Sequence, residues 1–351
     1  MNFREPKKKN TLAIHTIFVP RENILFIREW IVYHIGIGVS HFYLYDNTGS
    51  IGGKPTLKKR TEIRNKYGID FQHLTNDLSD GDIKHQLNEL NTIFPGLITY
   101  VRWDPRDENG NIVYAQPTSI CDYYNKFSKH HDWTAFIDMD EFIFPSGEKN
   151  LLELIKDYEN KGYGDIIIMQ KKFAERFDYL DRYVIEITRC IDNINTINWA
   201  PKHIIHREYY DDSILNNPAK IKKWGIHTIP TKAKKVFQAP IDELRFNHYN
   251  TNTRLLNWLK KMSVRKNDIY LDGEDDSMKI HYDFVNKHCL KLQRPYNWGR
   301  NVKPERVTNQ QPTRNFLFNY RLSFSILYTS DSRKAMIRKI FRRIKSYLEK
   351  K

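Results

Sequence analysis

The stretch Trp133-Thr134-Ala135-Phe136-Ile137-Asp138-Met139-Asp140-Glu141-Phe142-Ile143-Phe144-Pro145 restricts the fold more than any other part of the chain. It boxes three carboxylates between two short apolar runs, and Pro145 closes the second run. Ala135, Phe136 and Ile137 form a run too short for a helix and rich in strand formers, so it reads as a buried strand. Acids at the end of such a strand lie at the mouth of a sheet, where open α/β folds hold their ligands. Two acids spaced as Asp138 and Asp140 can hold a hard divalent cation, and that cation can hold substrate phosphates. A turn whose acids merely face water is the plainer reading, and the tight apolar flanks weigh against it.

The segments before and after this stretch extend the same pattern. Leu12–Val19 is a strand candidate stopped by Pro20, and Asn23 is placed to cap a helix running to about Ile35. Ile24, Ile27, Ile31 and Ile35 fall at core-facing spacing along it. Gly36 and Gly38 end that helix, and His41–Tyr45 is a second strand running into the turn residues 46–50. Such a β-α-β unit implies parallel strands with a right-handed crossover. Further helices are predicted over 56–67, 116–131, 151–158 and 251–262, and further strands over 69–74, 97–103 and 165–169. From 183 to 229 the pieces VIEITRCI, KHIIH and GIHTI predict short β segments, and LRFNHY at 244–249 predicts another. Asp80-Gly81-Asp82 repeats the D-x-D spacing, but no apolar strand feeds it, so it reads as a surface turn. Alternation of strands and helices early, with clustered strands later, predicts a mixed α/β sheet.

The net charge of +15 over 351 residues predicts attraction to anions and does not choose among nucleic acid, acidic lipid and phosphorylated small molecules. The three cysteines, Cys121, Cys190 and Cys289, are far apart and form no C-x-x-C pair. Neither a zinc cluster nor a disulfide framework is suggested, and a reducing compartment fits best. Residues 1–10 read as a disordered basic arm without an apolar core, and no window has the apolar length to span a bilayer. In 333–351, Met336, Ile337, Ile340, Phe341, Ile344 and Leu348 line one helical face, with Arg and Lys around it. A basic amphipathic helix of this kind suits an anionic membrane surface or docking on its own domain. The expected location is cytoplasmic, with peripheral membrane contact through 333–351.

Several motifs, taken in order, resemble glycosyltransferase family 92 and its relatives among family 2-like enzymes. They are Glu29-Trp30-Ile31-Val32-Tyr33-His34, Gly38-Val39-Ser40-His41-Phe42 and Tyr45-Asp46-Asn47. Gln116, Cys121 and the 133–145 stretch follow, and then Lys202 with His203, Gly225-Ile226-His227 and Asn247-His248-Tyr249. The resemblance runs from about residue 12 to residue 262. It implies an α/β GT-A fold, a Rossmann-like mixed sheet flanked by helices, over 11–262, with a C-terminal helical extension over 263–351. It also implies a hexosyl- or pentosyltransferase that takes a nucleotide-sugar donor, a UDP-sugar favoured over a GDP-sugar, and uses Mn²⁺ (or Mg²⁺). The acceptor would be a glycan, a lipid-linked sugar or a protein, and no nucleic-acid partner is expected.

The site residues follow from that resemblance. Asp140 would be a direct metal ligand, Asp138 would sit on the metal or the ribose, and His227 matches the late histidine ligand, with His248 its rival. One imidazole is compatible with Mn²⁺. Arg21, Glu22, Asp46 and Asn47 would border the nucleotide, and Lys202 could pair with the diphosphate. Inversion needs a base for the acceptor hydroxyl. Glu175, with Asp178 nearby, is the candidate, in a loop that departs from the Phe-Gly of the family. A solvent-exposed salt bridge is the plainer role for Glu175. Two other classes remain open. A HAD-type phosphotransferase also places D-x-D after a strand, although Glu141-Phe142 follow here. A non-enzymatic nucleic-acid-binding protein would suit the charge and the Tyr and Phe content.

Overall fold

The computed structural model describes residues 11–19, 23, 27–49, 80–173, 183–190, 200–221, 225–249 and 273–291. All belong to one compact unit spanning Met1–Val302. The first half contains β1 (Leu12–Phe18), α1 (Ile27–Gly36), β2 (His41–Asp46), α2 (Asp80–Ile93), β3 (Ile98–Arg102), α3 (Gln116–Phe127) and β4 (Trp133–Phe136). Then come β5 (Glu141–Pro145), α4 (Leu151–Asn160), β6 (Asp165–Lys172), β7 (Arg189–Cys190) and β8 (Lys202–His206). The short helices α5 (Asp212–Leu215) and α6 (Pro218–Ile221) precede β9 (Val236–Gln238) and β10 (Leu244–His248), and β11 (Gly273–Glu274) leads to α7 (Tyr282–Lys291).

The main sheet has the order β3-β2-β1-β4-β8-β6-β10-β5, with β9 also paired to β6. β1, β2, β3 and β4 are mutually parallel, as the β-α-β pattern predicts. β8 runs antiparallel between β4 and β6, and β5 runs antiparallel to β10. This is the mixed α/β sheet flanked by helices expected from the sequence. The two runs around the acids become separate strands far apart in that order. In a flat sheet, the four spacings from β4 to β5 would cover about 19 Å. Five Cα steps from Phe136 to Glu141 reach about 17 Å when fully extended, and Glu141 N instead donates to Asp138 O at 3.1 Å in a tight turn. The sheet must therefore curl. That curl brings the far strands to the acids.

Both faces of the sheet are filled. Leu12, Ile14, Trp30, Phe42, Trp133, Ala135, Phe142 and Ile166 belong to one buried cluster, and Ala13, Ile17, Tyr43, Tyr123, Phe136 and Ile205 to the other. Burying each large side chain contributes about 1.5–3 kcal/mol. α1 is buried on all sides from Ile27 to His34, so its spacing pattern understates how deep it lies. Asn23 is itself helical, and its side chain accepts from Val19 N at 3.3 Å. α4 begins with the Asn150 cap, reciprocated by Glu153, and Gly162 with φ 83° follows its end.

β5 ends the sheet order, and its outer side is met by side chains of α1 in place of another strand. Trp30 Nε1 donates to Glu141 O at 2.7 Å, and Tyr33 OH donates to Ile143 O at 2.7 Å. His34 Nε2 accepts from Ile143 N at 3.2 Å while Nδ1 bonds Trp30 O at 2.7 Å. The E-W-x-x-Y-H motif is thus a bracket for the strand that carries Glu141. Its glutamate serves elsewhere, taking Val184 N and Ile185 N at 2.9 Å each.

That capture corrects one expectation. VIEITRCI is a 3₁₀ turn at Val184–Glu186 followed by the two-residue β7, because Glu29 holds the amides that a strand would have paired. GIHTI is likewise a turn, closed by Thr228 N on Gly225 O at 2.9 Å. Asp80-Gly81-Asp82 opens α2 and does not form a surface turn. In α7 and the segment before it, Asp275 joins Arg245 and Lys171 at 2.8 and 2.7 Å, tying 273–291 to β10 and β6. The residues predicted as helices over 56–67 and 251–262, the strand over 69–74, the basic arm and the helix over 333–351 lie outside the described residues.

His34 can accept from Ile143 N only while Nε2 is unprotonated, and burial pushes its pKa down to about 3. Burial does the same to His15, also to about 3, among the rings of Tyr45, Tyr123 and Phe136. The unfolded chain takes up these protons near pH 6.5 and the native chain does not, so stability falls as pH drops below that value. From pH 6.5 to pH 5 each histidine is expected to remove about 2 kcal/mol. Urea unfolding at pH 7 and pH 5 measures this, and an unchanged midpoint would contradict it.

Candidate functional site

The strand directions gather one set of termini at a single edge. β4 and β6 are both antiparallel to β8, so they share a direction, and β10 is parallel to β6. The edge beyond the C-terminal ends of β1–β4 therefore also carries the ends of β6 and β10 and the starts of β8 and β5. Asp138, Lys172, His248, Lys202 and Glu141 sit there by position alone. Ligands of open α/β sheets bind at this end.

Lys202 organises the acids. Its side chain is fully buried, and its ammonium meets Asp138 Oδ2 at 2.5 Å and Glu141 Oε2 at 2.9 Å. Burial works against its charge, but the two carboxylates prevail and hold it well above the usual lysine range. Gln116 Nε2 donates to Asp138 Oδ1 at 3.0 Å, and Asp138 N donates to Glu141 Oε2 at 2.9 Å. Burial also opposes the charge on Asp138, yet Lys202 keeps its carboxyl below the ordinary range. Glu141 has less compensation, and burial pushes it up to about 7. Lys202, assigned to a diphosphate from sequence, thus spends its charge inside the protein.

Asp140 stands apart from that network. Its nearest polar partner among the described residues is His248 Nε2, 3.4 Å from Oδ2. His248 Nδ1 lies 3.2 Å from Gln170 Oε1. An amide oxygen only accepts, so Nδ1 carries a proton, and Nε2, whenever it is unprotonated, presents a lone pair to Asp140. Two acceptors facing each other are satisfied by a shared proton or a shared cation, and a histidine with its second nitrogen held this way is the usual form of a metal ligand. A carboxylate and one imidazole therefore fit a divalent cation whose remaining ligands come from substrate phosphates and water. Among the described residues no three His, Cys, Asp or Glu side chains converge as a metal-binding group.

The two histidine candidates separate. His248 reaches Asp140, whereas His227 places Nδ1 2.9 Å from Pro201 O, beside Lys202, where its charge bears on Asp138. Asp46 is 2% exposed at the end of β2 and is held by its neighbours. Its Oδ1 takes Thr48 N at 2.8 Å, and its Oδ2 takes Tyr100 OH and Arg102 Nη1, the latter at 3.1 Å. Asn47 Nδ2 donates to Trp103 O at 2.7 Å and Val113 O at 3.2 Å, fixing the loop that approaches the ends of β1 and β3. Arg21, Glu22, Glu175 and Asp178 lie outside the described residues. Sequence reasoning left Gln116 and Glu141 without roles. The one signal for Glu141 was its place directly after D-x-D.

Residues 56–287, about two thirds of the chain, match glycosyltransferase family 92. A family 92 protein of Oryza sativa subsp. japonica is 24% identical over 157 residues, a stretch covering 44% of this chain and 20% of that protein. The match thus spans about a fifth of the relative's length. Among solved structures, core-mannan synthase A of Aspergillus fumigatus in its Mn/GDP form is 9% identical, with a TM-score of 0.35, covering 81% of this chain and 87% of that one. A UDP-glucose pyrophosphorylase complexed with UDP-glucose is 12% identical with a TM-score of 0.29, covering 80% and 99%.

Proposed function

Since the chain belongs to glycosyltransferase family 92, we propose that it moves a hexose or pentose from a nucleotide-sugar donor to a hydroxyl of a glycan or other glycoconjugate. The observation that carries this reading is the facing pair of Asp140 and His248, 3.4 Å apart at the ligand-binding edge of the sheet. In this reading the pair holds Mn²⁺ or Mg²⁺, which when bound neutralises charge developing on the diphosphate leaving group. Asp138, oriented by Gln116 and Lys202, offers its exposed part to the ribose. Asp46 and Asn47 shape the base side of the crevice, with Arg21 and Glu22 beside them.

The transfer inverts the anomeric centre, with Glu175 taking the acceptor proton and Asp178 nearby. UDP-sugars are favoured over GDP-sugars, the acceptor is a glycan, lipid-linked sugar or protein, and the enzyme works in the cytoplasm with membrane contact through 333–351. The decisive experiment is a thermal-shift panel of UDP, GDP and their sugars, each with Mn²⁺ and with chelator. Binding to the native state raises the midpoint, by about 2.7 kcal/mol of stability at a hundredfold excess over Kd. A Mn²⁺-dependent rise with one nucleotide series supports the proposal, and no rise with any of them sinks it.

A further inference from the structure

A diphosphate brought to this edge approaches the carboxylates of Asp138 and Asp140, and a lysine or arginine there would add to whatever charge a metal neutralises. The described lysines and arginines on the strand ends at this edge are Arg102, Lys171, Lys172 and Lys202, while Arg106, in the loop after β3, donates to Gly110 O at 2.6 Å. Lys202 is fully buried against Asp138 and Glu141. Arg102 ends β3, three strands from β4, and pairs with Asp46 and Asp104 at 3.1 and 2.6 Å.

Strand alternation separates the remaining two. Lys171 is in register with Asn247, and both turn to the face where Arg245 and Asp275 lie; Lys171 Nζ meets Asp275 Oδ2 at 2.7 Å. Lys172 is in register with His248, so the two share the opposite face. Gln170, two residues earlier on that face, bonds His248. Ile168, two residues earlier again, is in register with Lys202. One face of β6 therefore runs from Lys202 past His248 to Lys172 at the rim, where burial lowers its pKa from the usual lysine range and Asp140 and Glu141 act in the opposite sense, favouring its charge. Its side chain is half-buried, with part of it open to solvent, unlike that of Lys202.

We infer that Lys172 is a donor-binding residue that meets the terminal phosphate of the nucleoside diphosphate, the role sequence reasoning gave to Lys202. The inference rests on the nucleotide-sugar reading above. A charge-assisted hydrogen bond from an ammonium to a phosphate is among the strong ones, and it acts on the β-phosphate while leaving the nucleoside untouched.

The test titrates UDP and GDP, UMP and GMP, into the full chain with Mn²⁺, using wild type, Lys172→Met, Lys172→Gln and Lys172→Arg. Lys172→Met and Lys172→Gln should each weaken the better-bound diphosphate about tenfold and change the monophosphate less than about twofold. Lys172→Arg should recover most of the loss. If the methionine variant melts early, the glutamine variant supplies the comparison. Diphosphate binding equal to wild type in a folded variant overturns the inference, as does an equal loss for monophosphate and diphosphate. If wild type binds neither diphosphate, the donor reading itself falls.

Discussion

Replacing Lys202 by methionine is expected to destabilise the protein by about 3–5 kcal/mol, the largest stability effect foreseen for a single substitution here. The ammonium is fully buried between Asp138 and Glu141, so its removal leaves two carboxylates facing each other without compensation. Methionine fills a similar volume, which keeps the cavity contribution small. The sign with pH is distinctive. Glu141 is already pushed up to about 7 by burial, and losing Lys202 raises it further. The variant can therefore take up a proton at mildly acid pH and recover part of its loss. Measured against wild type in each buffer, the deficit should be smaller at pH 5.5 than at pH 8. A pair of denaturant titrations checks this, and a pH-independent deficit would place the cost in packing. Adding Glu141→Gln to Lys202→Met should also restore stability, a non-additivity expected of residues in contact.

Asp140→Ala is expected to have the largest effect on activity, lowering Mn²⁺-dependent donor turnover by about 10³ while changing stability by less than about 1 kcal/mol. The asymmetry follows from its surroundings. The Asp140 carboxylate faces His248 at 3.4 Å and bears on the charge of Lys172, and it takes no part in the buried Lys202 ion pairs, so little of the fold depends on it. Asp138→Ala contrasts with it, because that change frees Lys202 and Gln116 from their shared partner and should cost stability as well as activity. Donor hydrolysis followed with and without Mn²⁺, alongside melting curves, separates the two. Full turnover in Asp140→Ala would remove the metal assignment.

These two substitutions also mark how far the sequence could be read. The parallel half was legible because its strands are local apolar runs with turn residues at their ends, and Asp138 and Asp140 stood out by their flanks. The partners of those acids were not legible. Lys202 and His248 reach them only because the sheet curls through β8, β6 and β10, and such pairings leave no periodicity in any one segment. VIEITRCI misled for a related reason, since nothing near it announces that Glu29, 155 residues away, takes the Val184 amide. Lys171 and Lys172 are indistinguishable as letters, and only the register with Asn247 and His248 assigns them to opposite faces.

The bracket that α1 places on β5 has a consequence beyond holding Glu141. An outermost strand with open amides and carbonyls is a template on which a second chain can grow, the usual beginning of intermolecular β-association. Here Trp30, Tyr33 and His34 occupy Glu141 O and both backbone groups of Ile143, so the central stretch of that margin has nothing to offer a neighbour. The same contacts that position Glu141 thereby close this margin of the sheet to strand addition.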